Sequence, residues 1–231
     1  RESHIIFSPD SRQVAYAARR ESQWFAVVDG KEQTSYDGIA KHTLRFSLDG
    51  KRLAYVAKRG EKWFAVIDGK EQTSYDGIAK QGVVFSPDGK RVAYGASLGN
   101  TWFAVIDGKE QKPFKYFCQA CLDFSPDSRR VVYAAMRWWV DGWFVIIDGE
   151  EEGPFGGVER GSLKFSPDSN RLAYLAKDIP WHVMVVDGKE EMKALSISWA
   201  AFSPDSKHVA YGAIFSDEKS AAVILDGTRG R

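Results

Sequence analysis

The chain has 231 residues, 44% of them hydrophobic and 27% charged, with a formal net charge of +1. That balance leaves no basic footprint for nucleic acid, and no run of 18 or more apolar residues exists to span a membrane. The length suits one domain, residues 1–231, and the apolar share is enough to fill its core. The chain opens on Arg1 rather than methionine, which fits a targeting segment removed or omitted.

Phe-Ser-Pro-Asp, or a one-residue variant of it, starts at Phe7, Phe46, Phe85, Phe124, Phe165 and Phe202. The intervals are 39, 39, 39, 41 and 37 residues. A fixed period in this range marks a repeat architecture, in which each unit buries its apolar face only against its neighbours. The units begin near residues 4, 43, 82, 121, 162 and 199.

The second unit sets the pattern. Leu44-Arg45-Phe46 is predicted as a first strand, ended by Ser47-Leu48-Asp49-Gly50. Arg52 to Ala57 is a second strand, and a polar loop from Lys58 to Lys62 follows. Trp63 to Ile67 is a third, ended by Asp68-Gly69, and a weaker fourth lies around Gln72 to Tyr75, ended by Asp76-Gly77. Short runs rich in Val, Ile, Phe, Tyr and Trp between Pro, Asp and Gly are strand-and-turn chemistry. Asp-Gly recurs at 29–30, 68–69, 107–108, 148–149, 187–188 and 226–227, where it suits a hairpin needing positive φ. In four first turns Ser stands in place of Gly (Ser11, Ser128, Ser169, Ser206), and these are expected to use a milder geometry, since Ser resists positive φ.

Trp63-Phe64-Ala65-Val66-Ile67 is apolar on both parities, so both faces of its sheet must be covered. No amphipathic stretch of helix length exists to cover one of them. The architecture that results is all-β: a six-bladed β-propeller of four-stranded antiparallel blades. The chain stops just after a third strand at Asp226-Gly227, so the last blade is expected to lack its fourth strand. That implies a weakly closed ring, or a chain trimmed from a longer protein. Phe85 to Tyr94, Phe-Ser-Pro-Asp-Gly-Lys-Arg-Val-Ala-Tyr, resembles the WD-like propeller repeat of TolB-type periplasmic proteins and of some peptidase propellers. The resemblance runs through all six units and implies the propeller fold and an extracytoplasmic location. It implies no particular activity.

Differences between the repeats point to a binding face. Residues 24–41 and 63–80 match at 17 of 18 positions and read as scaffold. By strand alternation the Ser-Pro-Asp and Asp-Gly turns share one face and hardly vary. The loops after second and fourth strands share the other, and in the last three blades they turn aromatic. Trp138, Trp139, Trp181, Trp199, Phe215 and Phe117 are the candidate binding residues. The bland alternative is local packing or a contact with a partner chain. Trp24, Trp63, Trp102 and Trp143 fall at one equivalent strand position and are expected to be core.

Catalytic chemistry is thinner. Cys118-Gln-Ala-Cys121 suits half a zinc site, a redox dithiol or a local disulfide, yet two buried small residues explain it as well. His4 and His42 are the nearest candidates to complete a zinc site. The turn aspartates repeat six-fold, which argues for a turn requirement rather than a catalytic one. Asp123 is unique to its blade, with Lys164 as its natural ion partner. Asp141, Asp178, Asp217 and Glu218 lie in variable loops. No nucleophile elbow, phosphate loop or dinucleotide fingerprint is present. These features predict a non-catalytic module without metal or cofactor that binds a protein or peptide. Carbohydrate or small-ligand binding on the same face is the alternative, and a hydrolase or lyase using loop carboxylates stands third.

Overall fold

The computed structural model describes residues 5–137, 142–198, 200–215 and 221–230. All regular structure among them is β, arranged as six antiparallel sheets in chain order. The chain divides into two compact units, residues 1–119 and 120–231. No helix among the described residues is long and apolar enough to cross a membrane.

In the first unit, the first sheet runs Ile5–Phe7, Val14–Arg20, Gln23–Val28, Lys31–Tyr36. The second departs from the expected pattern. Its innermost strand is split into Gly38–Ile39 and Arg45–Phe46, both paired with Leu53–Arg59. Lys62–Ile67 and Lys70–Tyr75 complete the sheet. Asp37-Gly38 is therefore a crossover into the next sheet rather than a hairpin turn. The gap in the split strand is closed by Thr43, whose hydroxyl donates to the Ala40 carbonyl (2.8 Å) and accepts from the Val56 N–H (3.1 Å). Ser162 does the same between Glu159 and Leu175 in the second unit. A side-chain oxygen thus replaces a missing ladder bond, as buried backbone groups require.

The expectation that the last sheet lacks a fourth strand is corrected. Thr228–Arg229 pairs with Ala221–Leu225, so a two-residue outer strand is present. Two residues after Asp226-Gly227 are enough to close a hairpin ladder.

The two families of turns hold each sheet at one end. All six Asp-Gly pairs have positive φ at both residues, as at Asp68 (53°) and Gly69 (76°). This is the two-residue hairpin geometry that matches strand twist. The Asp side chain is used too. Asp68 Oδ1 accepts from the Leu53 N–H (3.1 Å), and Asp187 Oδ1 from the Leu172 N–H (2.9 Å). In the first turns the Ser hydroxyl donates to the Asp carboxylate and accepts from a backbone N–H five residues on. Ser166 to Asp168 is 2.5 Å, and Arg171 N–H to Ser166 is 2.9 Å.

A milder geometry at the Ser-bearing turns is not found. Ser11, Ser128, Ser169 and Ser206 have φ of 59°, 68°, 67° and 64°. At two of them the hydroxyl offsets the strain. Ser169 accepts from the Asp127 N–H (2.9 Å) and Ser206 from the Asp168 N–H (3.0 Å), each on the preceding sheet. At Gly89 a Cβ would stand 3.0 Å from Asp49 Oδ1, so that side chain would have to give by a few tenths of an ångström.

One residue type joins neighbouring sheets. Arg171 Nε donates to Asp187 Oδ2 within its own sheet (2.8 Å), and its Nη1 donates to the Lys207 carbonyl of the next (2.7 Å). Its guanidinium lies 5.3 Å from the ring centre of Phe202. Arg130 repeats this over Phe165, and Arg52 over Phe85 in the first unit. Behind these residues lie the apolar cores. Ala15, Ala26 and Val28 of the first sheet pack with Leu53, Tyr55, Phe64 and Val66 of the second. Ala173, Leu175, Met184 and Val186 of the fifth pack with Val209, Tyr211 and Ile224 of the sixth.

Replacing Arg171 with Lys keeps the charge but loses the fork and the planar stack. The expected loss is about 1–2 kcal/mol, read from urea unfolding of the native protein and the variant. Asp168 is held at about 2 by the Ser166 hydroxyl, then by the backbone N–H and side chain of Asn170. Its stabilisation is complete above the ordinary aspartate value of about 4 and is lost as pH falls through about 2. Thermal melts across that window should show a smaller fall in Tm for Asp168→Asn than for the native chain.

Candidate functional site

The end of the sheets opposite these turns carries the second-to-third strand hairpins and the crossovers between sheets. In the first unit this end is mostly polar and tied down, with Leu98 as an exposed exception. Asp37 accepts from the Gly60 N–H (2.7 Å) and the Gln23 amide (3.2 Å). Asp76 accepts from the Gly99 N–H (2.7 Å) and pairs with Lys62. Both carboxyls lie below the usual range, Asp37 chiefly through the Gly60 N–H and Asp76 chiefly through Lys62.

In the second unit the equivalent positions change character. The strand pairings align Leu195 with Asp37 and Asp76, since Ala194 sits opposite His182 as Tyr36 sits opposite Trp24. They align Trp181 with Gln23 and Lys62, and Ile179 with Glu21 and Gly60. Ile179 is 81% exposed, Leu195 is exposed, and Trp181 is half-buried at the start of the strand Trp181–Val186. Leu195 is held from both sides. Its N–H donates to the Ile214 carbonyl (2.9 Å), and its carbonyl lies 2.9 Å from His182 Nδ1. Lys193 donates to Asp178 (2.8 Å) and supplies a charged rim beside Trp181. The result is a set of exposed or half-exposed apolar side chains at one end of the fifth sheet on a hydrogen-bonded frame.

The sequence-based candidates fall in three groups. Trp138, Trp139 and Trp199 lie outside the described residues. Trp181 belongs to this set. Phe215 is half-buried, packs on the core between the fifth and sixth sheets, and has the Arg229 guanidinium 5.1 Å from its ring centre. Phe117 is buried and stacked on Trp102 at 6.4 Å between centroids, inside the strand Tyr116–Phe124. It offers no surface to a ligand. Ile179 and Leu195 escape a sequence reading that searches for aromatic rings. The signal for Leu195 is an apolar residue where two other repeats carry Asp.

The four equivalent tryptophans are also placed differently from expectation. Trp24, Trp63, Trp102 and Trp143 are half-buried at the hairpin end of their strands. Arg19 lies 5.9 Å from the centre of the Trp24 ring, and Lys58 5.6 Å from that of Trp63. These cations are their direct cross-strand partners, and they close over the indoles in place of core side chains.

Neither cysteine is free. Cys118 and Cys121 are buried and disulfide-bonded, with Ala120 between them at φ 74°. No three His, Cys, Asp or Glu side chains among the described residues converge to hold a metal ion. Asp123 is accessible to water, yet its crowded surroundings lift its pKa. The Phe124 N–H (2.8 Å) and, less, the charge of Lys164 act against that rise. His4, Asp141, Asp217 and Glu218 lie outside the described residues. Thiol titration of the denatured, unreduced protein should find no free thiol, and prior reduction should release two.

No family model matches this chain, and no curated protein sequence matches it. Solved structures do. The β-propeller domain of the Trilobed protease from Pyrococcus furiosus, described as having an open velcro topology, is 14% identical over 99% of this chain and 82% of its own, with a TM-score of 0.50. A putative dipeptidyl aminopeptidase IV from Bacteroides ovatus is 12% identical over 98% of this chain, with a TM-score of 0.56. TolB from Acinetobacter baumannii is 18% identical over 81% of this chain, with a TM-score of 0.47. This chain spans only 46% of that aminopeptidase and 53% of that TolB. Likeness at such identities concerns the fold, and with six antiparallel sheets and no helix among the described residues it makes the chain a β-propeller module.

Proposed function

We propose that this chain is a single, non-catalytic propeller domain of the TolB-like kind. In this reading it binds a protein or peptide through the loop end of its last three sheets. The observation that supports this most directly is the exchange at equivalent positions. Asp37, Asp76, Gln23 and Lys62 satisfy one another's hydrogen bonds in the first unit, while Leu195, Ile179 and Trp181 present apolar surface in the second. Exposed apolar clusters with a charged rim are the usual form of a protein-binding centre. Trp138, Trp139 and Trp199 belong to the same loops in sequence and enter the proposal as further anchors.

The mechanism is burial of a preformed patch. Leu195 is fixed by two backbone contacts, so little loop entropy is lost on binding. Trp181 supplies the large ring area that dominates such interfaces, and the Lys193–Asp178 pair at the rim selects by charge. The buried disulfide supports an oxidising, extracytoplasmic setting, which the TolB-type resemblance also implies.

The test is a pull-down from source-cell extract, followed by calorimetry with the purified captured protein. Trp181→Ala and Leu195→Asp, each checked for unchanged melting, should weaken binding at least about tenfold. Capture that survives both substitutions would remove this face from the proposal. A glycan bound by the native chain and lost in Trp181→Ala would replace a protein partner with a carbohydrate.

A further inference from the structure

The junctions between neighbouring sheets are built alike but are not filled alike. In the second unit one glutamate fills the junction of the fourth and fifth sheets, and another that of the fifth and sixth. Glu152 leaves the outer strand of the fourth sheet, and its Oε2 accepts from the Tyr174 hydroxyl of the fifth (2.7 Å). Its Oε1 reaches the next Asp-Gly turn, where a Cβ on Gly188 would stand 2.9 Å from it. Glu191 repeats this one junction later. Its Oε2 lies 3.4 Å from the Tyr211 hydroxyl, and its carboxyl carbon would be 3.7 Å from a Cβ on Gly227.

The junction of the second and third sheets, in the first unit, is left open. The strand pairings align Gln72 with Glu152 and Glu191, because Ile67 pairs with Lys70 as Ile147 pairs with Glu150 and Val186 with Lys189. Gln72 does not cross the junction. Its amide nitrogen donates to the Lys70 carbonyl of its own strand (3.1 Å). Gly108 is the counterpart of Gly188, and a Cβ on it would meet nothing within 4 Å. The room that remains is a cavity of about 360 Å³. Arg52, Lys70 and Lys90 bring positive charge to its lining, and Ile67 and Val92 give it an apolar wall. Its two carboxylates are already committed. Asp68 accepts from the Leu53 N–H and Arg52 Nε, and Asp107 from the Val92 N–H and Arg91 Nε. Lys70 forms no ion pair among the described residues, and Lys90 only a loose one with Asp88 (3.7 Å).

We propose that this cavity binds a small organic carboxylate, which stands where the chain's own glutamate stands in the two filled junctions. The fifth-to-sixth junction supplies the template. There the positions of Arg52, Lys70 and Lys90 hold Arg171, Lys189 and Lys207, so the same three cations accompany Glu191. At the open junction the cations are kept and the carboxylate is missing. A ligand with a chain the length of a glutamate side chain lays its methylenes on Ile67 and Val92 and turns its carboxylate to the cations. Between two sheets these charges are partly shielded from water, which strengthens their attraction for an anion. The site lies at the Asp-Gly end, so it is independent of recognition at the crossover end.

The test is a titration of the isotope-labelled chain with butyrate, glutarate and inorganic phosphate at fixed ionic strength, followed by amide chemical shifts. A carboxylate should give saturable shifts at Lys70, Gln72 and Gly108, and phosphate should not. Gln72→Glu supplies the missing occupant from the chain itself and should weaken carboxylate binding at least about tenfold with melting unimpaired. Lys70→Ala with Lys90→Ala should do the same by removing charge at exposed positions. Glu191→Gln should empty the fifth-to-sixth junction and add a second set of saturable shifts around Gly227. Absence of saturable shifts with either carboxylate overturns the proposal. So does unchanged binding in folded Gln72→Glu, or phosphate binding as tightly at the same amides.

Discussion

The junction between neighbouring sheets rests on one arginine doing three things at once. Nε satisfies a turn carboxylate in its own sheet, Nη reaches the backbone of the next, and the guanidinium plane covers a phenylalanine there. A lysine could meet only one of these needs, because its point charge has neither fork nor plane. The turn Asp is equally committed, since its second oxygen caps the ladder by accepting from the first residue of the second strand. Sheet-internal and sheet-to-sheet order are therefore fixed by the same few atoms.

This explains which features are legible in the amino-acid sequence. Asp-Gly at positive φ and Pro in the first turn are demands of local backbone geometry, so the first announces itself in all six copies and the second in five, Leu48 being the exception. The apolar third strand likewise reveals that both sheet faces are covered. What depends on a neighbouring sheet cannot be read in this way. Ser169 and Ser206 occupy left-handed φ with hydroxyls that accept from a backbone N–H of the preceding sheet, and no local rule contains that N–H. The split innermost strand hides for a similar reason: Thr43 looks like an ordinary polar residue until it is seen filling a gap in the ladder. Only part of the candidate site is legible, because a search for aromatic rings favours Trp181 and passes over Leu195.

The two ends of the sheets then have different freedom to change. At the Asp-Gly end, the turn Asp and Ser side chains and the joining arginines bond within their own or an adjacent sheet, so a substitution there disturbs a junction. At the crossover end, bonds run between a crossover and the hairpins on either side of it. Asp37 and Asp76 show that such bonds form where the residues allow them. Leu195 shows that the crossover also holds without a carboxylate, because its backbone alone spans His182 and Ile214.

That contrast is the physical reason to place recognition at the crossover end. Exchanging Asp for Leu in the Asp-Gly turns would break a capped ladder, whereas at residue 195 it leaves the backbone frame complete and only changes what meets solvent. Surface chemistry there is decoupled from the fold, and a rigid scaffold can carry new contacts without losing stability.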